Sequence, residues 1–255
     1  MNPKLSVNLD HVLTLRQVRQ TLYPSIVEAA RLVELSQACG VTLHLREDRR
    51  HVQDPDVFSV QAAMRKKLNL EMSIASDVVA VCLRLKPQQA TLVPERRAEL
   101  TTEGGLNLSE NSETIRQVLT QLKAAGIVVS LFIEPSLLVV EQSRSLGADM
   151  VELHTGAFAH ATALGRDGAD ELLRLRRAAE HAHGLGLQVA AGHGLTLQNV
   201  AAVAQLPYIT ELNIGHGLVS HAVFVGLPQA IADFLQAMQQ STEHSVQNVP
   251  ALSLS

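Results

Sequence analysis

The chain reads as an α/β protein, a single (β/α)8 barrel, and three observations point there. Eight short apolar or alternating segments each lead into a stretch of helical periodicity, and such alternation implies a parallel sheet with helical crossovers. The eight units fill about 240 of the 255 residues, the usual size of this barrel. The rival, an open doubly wound sheet, carries a Gly-x-Gly-x-x-Gly turn after its first strand; this chain has His11-Val-Leu-Thr-Leu-Arg16 there.

Each element has its own signal. Leu5–His11 alternates and forms the first strand; Pro24 opens a helical pattern (Ile26, Ala29, Ala30, Val33, Leu35) that stops near Gly40. Val41–Arg46 is the second strand, with a helix over Asp54–Lys67. Asn69–Ala75 is the third, with a helix capped by Ser76. Gln89–Glu95 is the fourth strand, and the polar segment Arg96–Leu108 that follows has the length of a binding loop. A helix over Ser109–Ala125 precedes the fifth strand, Ile127–Glu134, and another from Pro135-Ser136 to Gly147 precedes the sixth, Met150–Gly156. Gly168–Gly184 is helical, Leu187–Gly192 is the seventh strand, and Thr196 opens a short helix. Glu211–Gly215 is the eighth strand and Ser220–Gln240 the last helix. Residues 1–240 thus form one barrel domain, and the polar tail 241–255 lacks periodicity and is expected to be disordered.

Composition narrows the function. A net charge of -4 argues against a nucleic-acid partner, and no apolar run is long enough to span a bilayer. The start, Met1 to Ser6, lacks an apolar signal region, and Cys39 and Cys82 lie in apolar, helical contexts as packed thiols; a cytoplasmic protein is expected.

Strand parity separates the two faces. Val7/Leu9, Leu43/Leu45, Leu70/Met72, Leu131/Ile133 and Val151/Leu153 face the helices. The opposite parity carries Asn8/Asp10, His44/Arg46, Glu71, Glu134, Glu152/His154, His193 and Asn213. Ionisable residues from six strands at matching parity are costly to bury in a merely structural barrel, so this face is read as an active-site wall. Mid-strand Glu71 is the sharpest case: desolvation raises a carboxylate's pKa and suits it to acid–base work. Gly192-His-Gly194 and Gly215-His-Gly217 follow strands seven and eight, where this fold binds phosphate, and Arg46–His51 offers a second anion site, with Arg16 and Arg19 as further candidates. The five lysines (Lys4, Lys66, Lys67, Lys86, Lys123) fall before strands or on helices, so none is placed for a Schiff base.

With these motifs in order, the chain to about residue 240 resembles the pyridoxine 5'-phosphate synthase family. The likeness is carried by Val7–Arg16, His44–His51, Asn69–Met72, Leu92–Arg97, Leu100–Leu106, Ser130–Ile133, Glu152–Gly156, Ala191–Leu195 and Glu211–His216. The resemblance implies a transferase of vitamin B6 biosynthesis that condenses 3-amino-1-hydroxyacetone 1-phosphate with 1-deoxy-D-xylulose 5-phosphate. It implies His44 and Glu71 as general bases, His193 as the acid and Glu152 as a stabiliser of charged intermediates. Asn8, Arg19, Gly194, Gly215 and His216 would hold the aminoketone phosphate, and Asp10, His11, Arg46, His51 and Thr101 the sugar phosphate. Arg96–Leu108 would close over both. The family is octameric and uses neither metal nor organic cofactor. Gln20, Ala190 and His221 depart from its usual Gly, Asn and Arg. Two other readings remain: a metal-dependent hydrolase with His44, His154, His193 and Glu71 as ligands, and a sugar-phosphate-binding barrel without turnover.

Overall fold

In the computed structural model, which describes residues 2–95 and 104–240, each strand pairs in parallel with the next and the eighth with the first, closing the barrel. The strands are β1 (Lys4–Asn8), β2 (Gly40–Leu45), β3 (Lys67–Met72), β4 (Gln89–Leu92), β5 (Val128–Ile133), β6 (Met150–His154), β7 (Gln188–Gly192) and β8 (Ile209–Ile214). The helices are α1 (Asp10–Arg19), α2 (Ile26–Leu35), α3 (Asp54–Ala63), α4 (Ser76–Leu85), α5 (Ser112–Ala124) and α6 (Leu137–Leu146). After them come α7 (Gly156–Ala163), α8 (Ala169–Gly184), α9 (Val200–Ala204), α10 (His216–Val225) and α11 (Leu227–Ala237). Thr101, most of the Arg96–Leu108 segment and the tail 241–255 lie outside the described residues.

The expected parity holds. Val7, Leu43, Leu45, Leu70, Met72, Leu131, Ile133, Val151 and Leu153 are fully buried beneath the helices. Inside, hydrogen bonds replace the usual aliphatic layers. At the N-terminal end Lys67 Nζ donates to Glu211 and to Gln89 Oε1 (3.0 Å). Above it Ser6 and Thr42 hydroxyls meet at 3.0 Å, Thr91 donates to Asn69 Oδ1 (2.9 Å) and Asn213 Nδ2 to Glu152 Oε2 (2.6 Å).

Several boundaries differ from the sequence reading, each for a local reason. Asp10 and His11 are not strand residues but open α1, whose N-cap is Leu9; Asn8 Oδ1 accepts the Asp10 N–H (2.9 Å) and turns the chain out of β1. The helix α3 ends at Ala63 and Lys67 begins β3, where its ammonium finds Glu211; Lys67 is therefore on a strand, at the end of the barrel opposite the site. Ala75, not Ser76, is the N-cap of α4. Cys39 is not helical: it precedes β2, and its thiol lies 3.6 Å from Glu211 Oε2. The helix α7 was not anticipated, and the last predicted helix is two, broken at Gly226, whose φ of +82° ends α10.

Candidate active site

Every strand of the barrel ends at one cavity of about 390 Å³, or close beside it. Twelve of the fourteen residues expected at the site line it: Asn8, Asp10 and His11 from the β1–α1 corner, His44, Arg46 and His51 from β2 and its loop, Glu71, Glu152, His193 and Gly194 from β3, β6 and β7, and Gly215 and His216 after β8. Thr101 is outside the described residues. Arg19 is exposed at the end of α1 and does not line the cavity. Arg16 is committed elsewhere, in a two-pronged pair with Asp56 (2.7 Å each).

The wall is densely connected. His44 and Glu71 are in register on adjacent strands, with His44 Nδ1 4.0 Å from Glu71 Oε2. The other ring nitrogen of His44 meets Glu95 Oε1 at 3.0 Å, and the Glu47 N–H donates to Glu95 Oε2 (2.9 Å). Asp10 Oδ1 accepts from the His44 N–H (2.9 Å) and Asp10 Oδ2 from Asn8 Nδ2 (3.1 Å), tying the first two strand ends together.

Burial sets the protonation. It pushes Glu71 well above the usual carboxylate range, and the Glu152 and Asp10 carboxylates push it further; a hydrogen bond from Asn8 only partly offsets this. Glu152 rises to about 8, again chiefly by burial, despite its bond from Asn213. Asp10 is also raised by burial, against the pull of His44 and Arg46. The imidazoles go the other way: burial, helped by neighbouring histidines, lowers His11 and His193 each to about 4. Carboxyls that hold protons and imidazoles that stay neutral can exchange protons with a bound ligand near neutral pH.

The glycine motifs form the rim of the cavity beside β7 and β8. Gly194 has φ +78°, and a Cβ there would stand 2.7 Å from Ala159 Cβ, so a side chain is excluded on both counts. His193 itself has φ +83° and is held by Thr155, whose hydroxyl donates to the Gly192 and His193 carbonyls (2.7 and 2.5 Å). His216 opens α10, a helix N-terminus beside the ring of His11, centroids 4.9 Å apart.

Among the described residues, Asp10, His44 and Glu71 offer ligand atoms within 4.8 Å of one another and could hold a cation. That trio is not the His44, His154, His193 and Glu71 set of the hydrolase reading, because His154 turns to Glu134 (2.8 Å). Sequence reading missed Glu95, which sits in the Leu92–Arg97 motif, and Phe132, an apolar residue of inward parity on β5 that lines the cavity.

Fold and site together define a (β/α)8 barrel with a titratable wall and a glycine- and histidine-lined rim around one cavity. Residues 5–240 match the family described as pyridoxal phosphate biosynthesis protein PdxJ, and the chain belongs to that family. A relative from Synechococcus sp. (strain JA-2-3B'a(2-13)), named pyridoxine 5'-phosphate synthase, is 49% identical over 92% of this chain and 98% of its own. Another of that name, from Thioalkalivibrio sulfidiphilus, is 47% identical over 93% and 96%. Among solved structures, N-(5'-phosphoribosyl)anthranilate isomerase of Pyrococcus furiosus superposes with a TM-score of 0.60 at 15% identity, covering 92% of this chain and 98% of that one. Thiamine phosphate pyrophosphorylase of the same organism gives 0.59 at 16% identity, covering 92% and 95%; both are likenesses of fold alone. Among the described residues no helix is long and apolar enough to cross a membrane.

Proposed function

We propose that this chain condenses 3-amino-1-hydroxyacetone 1-phosphate with 1-deoxy-D-xylulose 5-phosphate and closes the pyridine ring of pyridoxine 5'-phosphate, releasing phosphate and water. The observation that carries this reading is one cavity in which Glu71, Glu152 and His44 adjoin two edges whose chemistry suits anions, Gly194/His216 and Arg46/His51. Two edges suit two phosphorylated substrates, and among the described residues no lysine lines the cavity, so the imine forms on the substrate's own amine.

His193, neutral and cavity-facing, donates the proton that lets a hydroxyl leave as water after phosphate binding has raised its basicity. Glu71, a stronger base than a free carboxylate once deprotonated, takes the C–H proton that turns imine to enamine, with His44 as its partner base. Glu152, which burial keeps protonated before substrate binds, ionises as positive charge builds on nitrogen and offsets it. Asn8, Gly194, Gly215 and His216 take the aminoketone phosphate; Asp10, His11, Arg46 and His51 take the sugar phosphate. Exposed Val18 on α1 and Phe224 on α10, 75% and 86% accessible, offer apolar surface for a homo-oligomer, with the octamer the expected state. Incubating chelator-treated protein with both substrates tests the function: pyridoxine 5'-phosphate and free phosphate should appear in equal amounts. Turnover that appears only with added metal would favour the hydrolase reading.

A further inference from the structure

Glu134, His154 and His193 stand at or just past the C-terminal ends of three consecutive strands, β5, β6 and β7. Glu134 Oε1 accepts two hydrogen bonds, one with His154 Nδ1 (2.8 Å) and one from the Gly105 backbone N–H (2.9 Å). The bond with His154 holds Glu134 below the usual carboxylate range, so a charged acceptor fixes the proton on Nδ1 of His154. Among the described residues the opposite nitrogen, His154 Nε2, is buried without a hydrogen-bond partner. It lies on the side of His193, the two ring centroids 5.0 Å apart, with the Phe132 ring edge-on to both. Gly156 leaves the room: a Cβ there would meet His154 Nε2 at 2.4 Å and His193 Cδ2 at 3.3 Å. A buried imidazole with one nitrogen locked and the other open toward a second imidazole is an orienting device.

We propose that Glu134 and His154 are a positioning pair for His193, with Glu134 setting the tautomer of His154 and His154 setting the ring orientation and proton position of His193. The proposal rests on the reading of His193 as the proton donor. His193 also faces His11 and His216, so His154 is one of three imidazoles that set its charge, and the one whose own state a carboxylate controls.

The test combines imidazole 15N NMR of the unliganded protein with single-turnover kinetics, for wild type, Glu134→Leu, Glu134→Gln and His154→Gln. In wild type His154 shows the Nδ1–H tautomer alone. Glu134→Leu gives a tautomer mixture at His154, shifts the His193 ring signals and slows turnover about 10–100-fold with KM little changed. Glu134→Gln keeps an oxygen for His154 Nδ1 and Gly105 and recovers most of the loss. His154→Gln leaves Glu134 in place yet shifts His193 and slows turnover to a similar degree, which covers the case of a Glu134→Leu variant that fails to fold. Slower turnover with unmoved His193 signals, or moved signals with turnover unchanged, overturns the pairing. A wild type that makes no pyridoxine 5'-phosphate sinks the proposed function instead, while the NMR signals still decide whether the pair controls His193.

Discussion

His44 and Glu71 face one another across the β2–β3 pair, in register, with a nitrogen and a carboxylate oxygen 4.0 Å apart at the top of the barrel interior. Two titratable groups are thus fixed by backbone pairing rather than by loops, and Asp10 and Glu95 hold His44 from either side. A site built on strands keeps its geometry when substrate is absent.

That rigidity has a cost in stability, which sets a pH dependence. Glu152 rises from the ordinary 4.5 to about 8, so the folded chain holds a proton that the unfolded chain releases across that window. Stability from this group is therefore lost as pH rises from 4.5 towards 8. Glu152→Gln, which can still accept from Asn213, should raise the melting temperature at pH 8 by an amount worth about 1–3 kcal/mol and leave it unchanged at pH 4. Equal shifts at both pH values would refute the assignment.

Anion binding should run opposite in sign. Burial lowers His11 and His193 to about 4, and an anion beside them restores the charged form, so binding takes up protons. Sulfate, which carries no titrating proton in this range, should bind more tightly at pH 5.5 than at pH 8, with proton uptake visible by calorimetry in two buffers. His193→Asn should reduce the uptake; proton release on binding would contradict the account.

Gly194→Ala should be costly, since it combines φ +78° with a 2.7 Å approach to Ala159. About 1–3 kcal/mol of stability and roughly tenfold in sulfate affinity should be lost. Unchanged sulfate affinity would remove this turn from the anion site.

The departure at Gln20 has a physical reading. It caps α1 in the left-handed region (φ 50°), where a glycine carries no steric penalty. Gln20→Gly should raise stability by up to about 1 kcal/mol, read from thermal melts, and a lower melting temperature would show the side chain to be favourable there.

The barrel was legible because strand parity is a period-two signal that survives in one sequence: Leu43/Leu45 and His44/Arg46 declare opposite faces without any partner strand. The site was legible for the same reason, since Glu71, Glu152 and His193 are polar where a barrel core is apolar. What was not legible depends on pairs distant in sequence. Lys67 reads as the end of a helix until Glu211, 144 residues away, is seen beside it. His154 reads as one more ligand until Glu134 is seen to hold its Nδ1, and Asp10 reads as strand until Asn8 is seen to accept its N–H in the turn out of β1. The break at Gly226 was missed because helical periodicity runs on through both halves.

The central claim is that the polar wall performs acid–base chemistry rather than only holding ligands, and Glu71→Gln tests it most directly. Turnover of both phosphorylated substrates is measured beside calorimetric binding of 1-deoxy-D-xylulose 5-phosphate to the same protein. The account predicts binding within about threefold of wild type and turnover reduced about 10²–10⁴-fold, the range that positioned acid–base groups supply. Glu71→Gln protein that turns over at close to the wild-type rate would contradict it.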